Sequence, residues 1–216
     1  MKRITCFVSL FLAISFVHAQ DVQVNVNVAE DRSPISPYIY GANVPTDHAS
    51  AMRWGGNRTT TYNWENNYSN AGEDYHHISD GYFINSSGNT ETVPAEPVIE
   101  NVQDAHARNQ YSLITLQAAG FVAADGNGSV SEEEAAPSSR WDSIVFRKNA
   151  EFSLEPDKTD GVVYIDEYVH YLTEVLGEVG EGGIDGFGID NEPALWRSTH
   201  PRIRPDRLTI DELFGK

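Results

Sequence analysis

Cysteine is almost missing from this 216-residue sequence: Cys6 is the single one. It lies in an N-terminal run that reads as an export signal, so the remainder can form neither a disulfide nor a thiolate metal site. Stability must then come from packing, or from a hard cation. Basic residues are also scarce. The 15 Lys and Arg stand against 32 Asp and Glu, a formal charge of −17, with no cationic cluster; no nucleic-acid partner is expected. After the first segment no apolar run approaches the roughly 20 residues that a membrane helix needs, so no membrane association is expected once the signal is removed.

What is present begins with that signal. Lys2 and Arg3 form its positive region, Ile4 to Val17 its apolar run, and Val17-His18-Ala19 a small-residue cleavage site, so residues 1–19 read as a signal peptide and the mature chain as secreted or periplasmic. Aromatics make up 11% of the chain and include Trp54, Trp64, Trp141 and Trp196. With polyanions set aside, a neutral polymer such as a polysaccharide is the open class of partner, because sugar rings stack on aromatic faces.

Residues 20–33 read as a unit of their own. From Asp21 to Val28 the sequence alternates, with Val22, Val24, Val26 and Val28 on one side, which predicts a half-buried strand of an antiparallel sheet. Ser33-Pro34-Ile35-Ser36-Pro37 links it to a short buried-type strand, Tyr38 to Asn43. From residue 34 to 216 strands and helices then alternate. Strands are predicted at Ala51 to Asn57, Tyr111 to Ala118 and Gly182 to Asp190, and helices from Pro97 to about Asn109 and around Ile165, Tyr168, Val169, Leu172, Val175 and Leu176. Long polar loops are expected up to about Val93 and from Gly120 to Thr159. The class is α/β, a parallel sheet with crossover helices.

Asn191-Glu192-Pro193 falls at the C-terminal end of the last strand, the address at which barrel enzymes keep catalytic residues. Glycoside cleavage needs one carboxylic acid to protonate the leaving oxygen and a second carboxylate as nucleophile or base. Glu192, walled by Trp196, is the candidate acid. The run from Arg53 to Tyr68 interleaves aromatics with Asn, Arg and Glu, a composition suited to sugar hydroxyls and ring faces; its Trp64, Glu65 and Asn66, together with Trp196 beside Glu192, are the expected substrate contacts.

The runs RWGGNRTTTYNWENNYSNAG and DNEPALWRSTHPRI together resemble glycoside hydrolase family 44, secreted endo-β-1,4-glucanases and xyloglucanases, over about Tyr38 to Asp206. The resemblance implies a (β/α)8 barrel beside a small β-sandwich, a retaining mechanism with Glu192 as acid/base, Asn191 as donor to the 2-hydroxyl of the sugar, β-glucan as substrate, and no required cofactor. The strand in residues 20–33 would belong to the sandwich. The family's nucleophile lies on a later strand, and no Glu after Glu192 fits that role.

Two further segments carry expectations. Asp125, Asn127 and Ser129 alternate with glycines like the start of a calcium loop, although the twelfth position would be Ala136; they are the candidate ligands of a structural calcium. Thr209 and Glu212 have the capping-box spacing that opens a helix, with few residues after it. This sequence is therefore expected to hold about half of a barrel that needs roughly 250 residues, and to be inactive alone. The alternative reading of the same loops is a non-catalytic glucan-binding fragment.

Overall fold

The computed structural model describes residues 22–88 and 92–215; the expected signal at residues 1–19 lies outside them. The chain divides into two units, Met1–Ile35 and Ser36–Lys216. In the first, residues 22–27 carry no regular secondary structure, and Val22, Val24, Val26 and Val28 are all exposed. The predicted sandwich strand does not form. Alternation supplies an apolar face, but a strand also needs a neighbour to take its N–H and C=O groups, and among the described residues none pairs with it.

The second unit runs β1 (Gly41–Ala42), β2 (Ala51–Trp54), β3 (Ser69–Asn70), β4 (Ile78–Asp80), α1 (Tyr82–Ser87), α2 (Glu96–Ala107) and β5 (Tyr111–Leu116). It continues with β6 (Phe121–Ala123), β7 (Gly128–Ser129), β8 (Trp141–Val145), β9 (Val162–Tyr164), α3 (Ile165–Leu176), β10 (Gly186–Ile189), α4 (Trp196–Thr199) and α5 (Ile210–Phe214). Of the strand predicted from Tyr38 to Asn43 only β1 forms. Pro37 opens a 3-10 turn capped by Ser36, and Tyr38, Ile39 and Tyr40 stay exposed. The two predicted long loops are partly structured, because β3, β4 and β7 form one small antiparallel sheet while β6, β8 and β9 form another.

The main sheet has the order β1-β2-β5-β10, and every pairing in it is parallel. Each new strand is added on the same side of the last, with α1 and α2 in the crossover from β2 to β5 and α3 in that from β5 to β10, while β1 and β2 are joined by a loop. Register places Trp54 and Phe187 on either side of Ile114, so the three side chains share the face on which α2 and α3 pack. Helix α2 starts with Pro97 in its first turn and buries Val98, Val102 and Ala105, the i, i+4, i+7 stripe of an amphipathic helix. Helix α3 carries Asp166 and Glu167 in its first turn, favourable to its dipole, and buries Ile165, Tyr168 and Leu172. Met52, Ile114, Tyr168, Leu172 and Ile184 form the centre of this core; each buried apolar side chain stabilises by about 1.5–3 kcal/mol.

The opposite face carries Arg53, Leu113, Gly186 and Gly188. A methyl group at Gly186 would overlap the Tyr111 hydroxyl, which donates to the Asp185 carbonyl at 2.8 Å. At the other end of the chain the capping box is formed: Thr209 Oγ1 accepts from the Glu212 N–H at 3.2 Å and Glu212 Oε2 accepts from the Thr209 N–H at 2.9 Å. Among the described residues no helix is long and apolar enough to cross a membrane.

Candidate active site

Strand β10 runs directly into Asp190-Asn191-Glu192, and two of these residues have left-handed backbone, Asp190 at φ 48° and Glu192 at φ 41°. Neither is glycine, so the turn stores strain on the order of 1 kcal/mol or more at each position and must be held by its surroundings. The Asp190 carboxylate does much of this. It accepts from the Thr60 hydroxyl at 2.7 Å, from the Ala118 N–H at 2.6 Å and from the Asn191 N–H at 2.7 Å. Burial lifts its pKa to about 6 although these bonds pull the other way. From below, the Trp196 indole N–H donates to the Asn191 carbonyl at 2.8 Å.

On this fixed turn the side chains are oriented in sequence. Arg53, from the end of β2, donates through Nη2 to Asn191 Oδ1 at 2.8 Å. With its oxygen taken, the Asn191 amide turns its NH2 group toward Glu192, and Nδ2 lies 3.2 Å from Glu192 Oε2. The Glu192 side chain stands exposed at the rim while Asn191 is buried. Gly55 makes room for this arrangement, since a methyl there would overlap the Arg53 guanidinium and the Thr115 hydroxyl. The ends of β2, β5 and β10 therefore meet at one place. Arg53 and Asp190 are residues of the candidate site that sequence reasoning missed; the adjacency of Asp190 to the Asn-Glu pair was the signal available.

His200 fastens the neighbouring loop. Its Nε2–H donates to the Asn57 carbonyl at 2.9 Å, and burial pushes its pKa down to about 4, so it is a neutral ring at physiological pH. Its part is structural.

The expected sugar contacts fare differently. Trp64 is fully buried and stacked on Tyr168 with ring centroids 5.3 Å apart; it has no face to offer a sugar. Glu65 is 3% exposed, and burial together with Asp160, Asp142 and Glu167 raises its pKa to about 8. Asn66 is buried and donates to the Ala123 and Ala124 carbonyls at 3.3 and 3.1 Å. Trp196 is 1% exposed and supports the turn from beneath instead of walling Glu192. The run from Asn57 to Asn70 folds inward because its polar groups find backbone partners, as with Thr61 Oγ1 donating to the Asn70 carbonyl at 2.7 Å. Of the candidate substrate-binding residues, only Asn191 is brought against Glu192.

The candidate calcium loop is also corrected. Arg140 Nε donates to Asp125 Oδ2 at 2.8 Å and its Nη1 to Glu134 Oε1 at 3.2 Å, while Asp125 Oδ1 accepts from the Asn127 N–H at 2.9 Å. Ser129 is paired with Ile78 in the β4–β7 ladder. A guanidinium already neutralises the one carboxylate that the three candidates supply, so these residues do not fit a resident cation. Among the described residues no cluster of three or more His, Cys, Asp or Glu can hold a metal. Adding calcium to the metal-free chain is expected to leave its melting temperature unchanged; a rise that Asp125→Asn removes would show that the ion displaces Arg140.

A parallel α/β sheet with a carboxylate-bearing turn at its C-terminal edge defines a protein whose site sits at the strand ends. The profile of glycoside hydrolase family 44 matches residues 68–216, and the chain belongs to that family. It is 48% identical over 201 residues to the beta-mannanase/endoglucanase A of Caldicellulosiruptor saccharolyticus, spanning 90% of this chain and 15% of that protein. It is 44% identical to the endoglucanase A of Paenibacillus lautus, spanning 33% of it. Among solved structures, the family 44 endoglucanase Cel44A of Clostridium thermocellum superposes with a TM-score of 0.82 at 53% identity, over 87% of this chain and 38% of that one. A Paenibacillus polymyxa xyloglucanase solved with xyloglucan gives the same TM-score at 49% identity. The chain thus spans 38% of these solved structures and at most a third of the two named relatives.

Proposed function

We propose that this chain carries the acid/base part of a secreted, retaining glycoside hydrolase acting on β-1,4-glucan of the cellulose or xyloglucan type. The observation that carries the reading is the Arg53–Asn191–Glu192 relay on an immobilised strand-end turn. Glu192 serves as acid/base: an exposed carboxyl at the rim can reach a glycosidic oxygen, give it a proton as the bond breaks, and take one back from water in the second step. Asn191, anchored through its oxygen by Arg53, presents its amide NH2 as a donor to the 2-hydroxyl of the sugar being cleaved. The four parallel strands, each added on the same side, form an arc of a (β/α)8 barrel.

A retaining mechanism needs a second carboxylate about 5 Å from the first. Asp190, nearest in sequence, is buried and already accepts three hydrogen bonds, so it is not free to attack a sugar. The nucleophile belongs to the sequence that the longer relatives carry beyond the stretch this chain matches. The names of those relatives, endoglucanase and xyloglucanase, support the choice of substrate.

The test is to assay the chain alone, and the chain fused to the complementary C-terminal part of the Paenibacillus polymyxa xyloglucanase, for reducing ends released from xyloglucan and carboxymethylcellulose. The fusion is expected to hydrolyse both and the chain alone neither. Turnover by the chain alone would refute the missing nucleophile. A folded fusion that binds glucan without cleaving it would favour a binding fragment instead.

A further inference from the structure

The Asp190 carboxylate joins the ends of three strands. Thr60 lies in the 3-10 turn that follows β2, Ala118 follows β5, and Asp190 and Asn191 follow β10. Oδ1 accepts from the Thr60 hydroxyl and from the Asn191 N–H, each at 2.7 Å, and Oδ2 accepts from the Ala118 N–H at 2.6 Å. Thr60 and Ala118 are buried and Asp190 is 9% exposed, so water does not readily replace a lost partner.

Every one of these partners donates, and the ionised carboxylate is the form that only accepts. A neutral carboxyl carries a hydrogen on one oxygen and needs an acceptor for it. Backbone N–H groups cannot supply one, so a proton on Oδ2 would be set against the Ala118 N–H. The Thr60 hydroxyl can, but only by reversing the bond it now donates, and a protonated Oδ1 is then a poorer acceptor for the Asn191 N–H. The full set of bonds therefore belongs to the anion. That set holds a turn with two left-handed residues, Asp190 at φ 48° and Glu192 at φ 41°, and such strain persists only while its surroundings over-determine it.

Among the described residues no charged side chain pairs with Asp190. On the elements around it, Arg58 is taken by Asp80 and Ser69, Arg53 by Asn191, and His200 is neutral and donates to Asn57, while Glu192 and Arg197 are exposed. The stretch from Gln117 to Ala124 holds no ionisable group, and Asp125 beyond it is held by Arg140. Burial therefore governs the Asp190 proton and raises its pKa from 3.8 to about 6. A proton taken up here adds to global stability: the contribution is complete below about 3.8 and is lost as pH rises from there to about 6. Acid thus loosens the turn through this carboxyl while the fold persists.

We infer that Asp190 is the positioning residue of the acid/base: ionised, it fixes the backbone of Asn191 and so the place from which Glu192 meets a glycosidic oxygen, and neutral, it releases both. The route is short, since Oδ1 holds the Asn191 N–H and the Asn191 side-chain Nδ2 lies 3.2 Å from Glu192 Oε2. The inference rests on the proposed function for the chemistry of Glu192, and it adds a proton switch that touches no reacting atom.

Carboxyl and amide chemical shifts of the full chain, followed from about pH 8 to about pH 4, test the switch without turnover. The Asp190 carboxyl, the Ala118 and Asn191 backbone amides, the Asn191 side-chain amide and the Glu192 carboxyl are expected to share one step near pH 6. Asp190→Asn, which has the shape of the neutral form, should remove that step from Asn191 and Glu192. Thr60→Val takes a donor from the carboxylate and should move the step upward, while Thr60→Ser should leave it in place; a residue that only braces the fold would move the melting temperature and not the step. If Asp190→Asn fails to fold, the two Thr60 variants carry the test. In the fused enzyme Asp190→Asn is expected to lower kcat at neutral pH by roughly ten- to a hundredfold with little change in KM. Asn191 and Glu192 signals that stay still while Asp190 titrates would overturn the inference, as would an Asp190 carboxyl with no step in the range. A shared step in a chain whose fusion is inert upholds the coupling and sinks the function, whereas a fusion that hydrolyses glucan with no shared step keeps the function and sinks the switch.

Discussion

Glu192→Gln in the fused enzyme is expected to lower kcat on xyloglucan by roughly 10²- to 10⁴-fold, the range that general acid–base catalysis supplies, with little change in KM. Glutamine keeps the size of the side chain and its ability to accept from Asn191 Nδ2, which lies 3.2 Å from Glu192 Oε2, so the turn should persist. What is lost is the proton that the leaving oxygen requires. An aryl glucoside with an acidic leaving group needs little protonation, so on that substrate the first chemical step should suffer far less than on the polysaccharide. Two results would sink the assignment: a small, equal loss on both substrates, or a variant that retains its full rate on xyloglucan.

Arg53 offers a graded companion to that experiment, because it acts through Asn191 and touches no proposed reacting atom. Arg53→Lys should retain part of the rate and Arg53→Met much less. With Asn191 Oδ1 released from Nη2, which it now meets at 2.8 Å, the amide is free to flip and can no longer present NH2 reliably. The pH profile should move with it, since the donor beside Glu192 is then no longer fixed. An unchanged profile with only a lowered melting temperature would make Arg53 a purely structural residue.

How much of this was legible in the sequence depends on the range of the interaction. Helices α2 and α3 and strand β5 follow from local signals, Pro97 in a first turn and apolar side chains at helical spacing, and form close to where they are predicted, while of the strand predicted from Gly182 to Asp190 only β10, Gly186–Ile189, forms. The strand-end placement of Asn191 and Glu192 follows in turn from where β10 stops. The pairing of Arg53 with Asn191 spans 138 residues and that of Thr60 with Asp190 spans 130. No local pattern announces such contacts. The loop holding Trp64 to Asn66 was misread for the same reason: a stretch rich in Asn, Thr and aromatics has one composition whether it faces solvent or packs inward. What decides is Tyr168 and the Ala123 carbonyl, both distant in the chain. Likewise Asp125 reads as a calcium ligand until Arg140, which claims it, is placed beside it.

Glu65→Gln should flatten the alkaline decline in the stability of the chain. Glu65 is 3% exposed beside Asp142, Asp160 and Glu167, and its pKa is raised from 4.5 to about 8, chiefly by burial and then by these carboxylates, with Lys148 opposing. In the folded state it therefore holds a proton that the unfolded chain releases near pH 4.5. The sign follows: its favourable contribution is complete below about 4.5, is lost progressively as pH rises from there to about 8, and stays lost above. A displacement of that size corresponds to on the order of 5 kcal/mol between the two limits, a large part of the total stability of a domain. Glutamine has the same shape and no proton to lose, so the variant should equal or fall slightly below the parent at pH 4.5 and exceed it clearly at pH 9. Urea unfolding of both proteins at intervals across that range gives the comparison directly. Asp142 and Asp190, whose pKa values are also raised by burial, contribute their own losses at lower pH to both proteins and cancel in the difference. Parallel curves for parent and variant would mean that Glu65 is already ionised in the folded protein, held by Lys148 more strongly than its burial among three acidic neighbours allows.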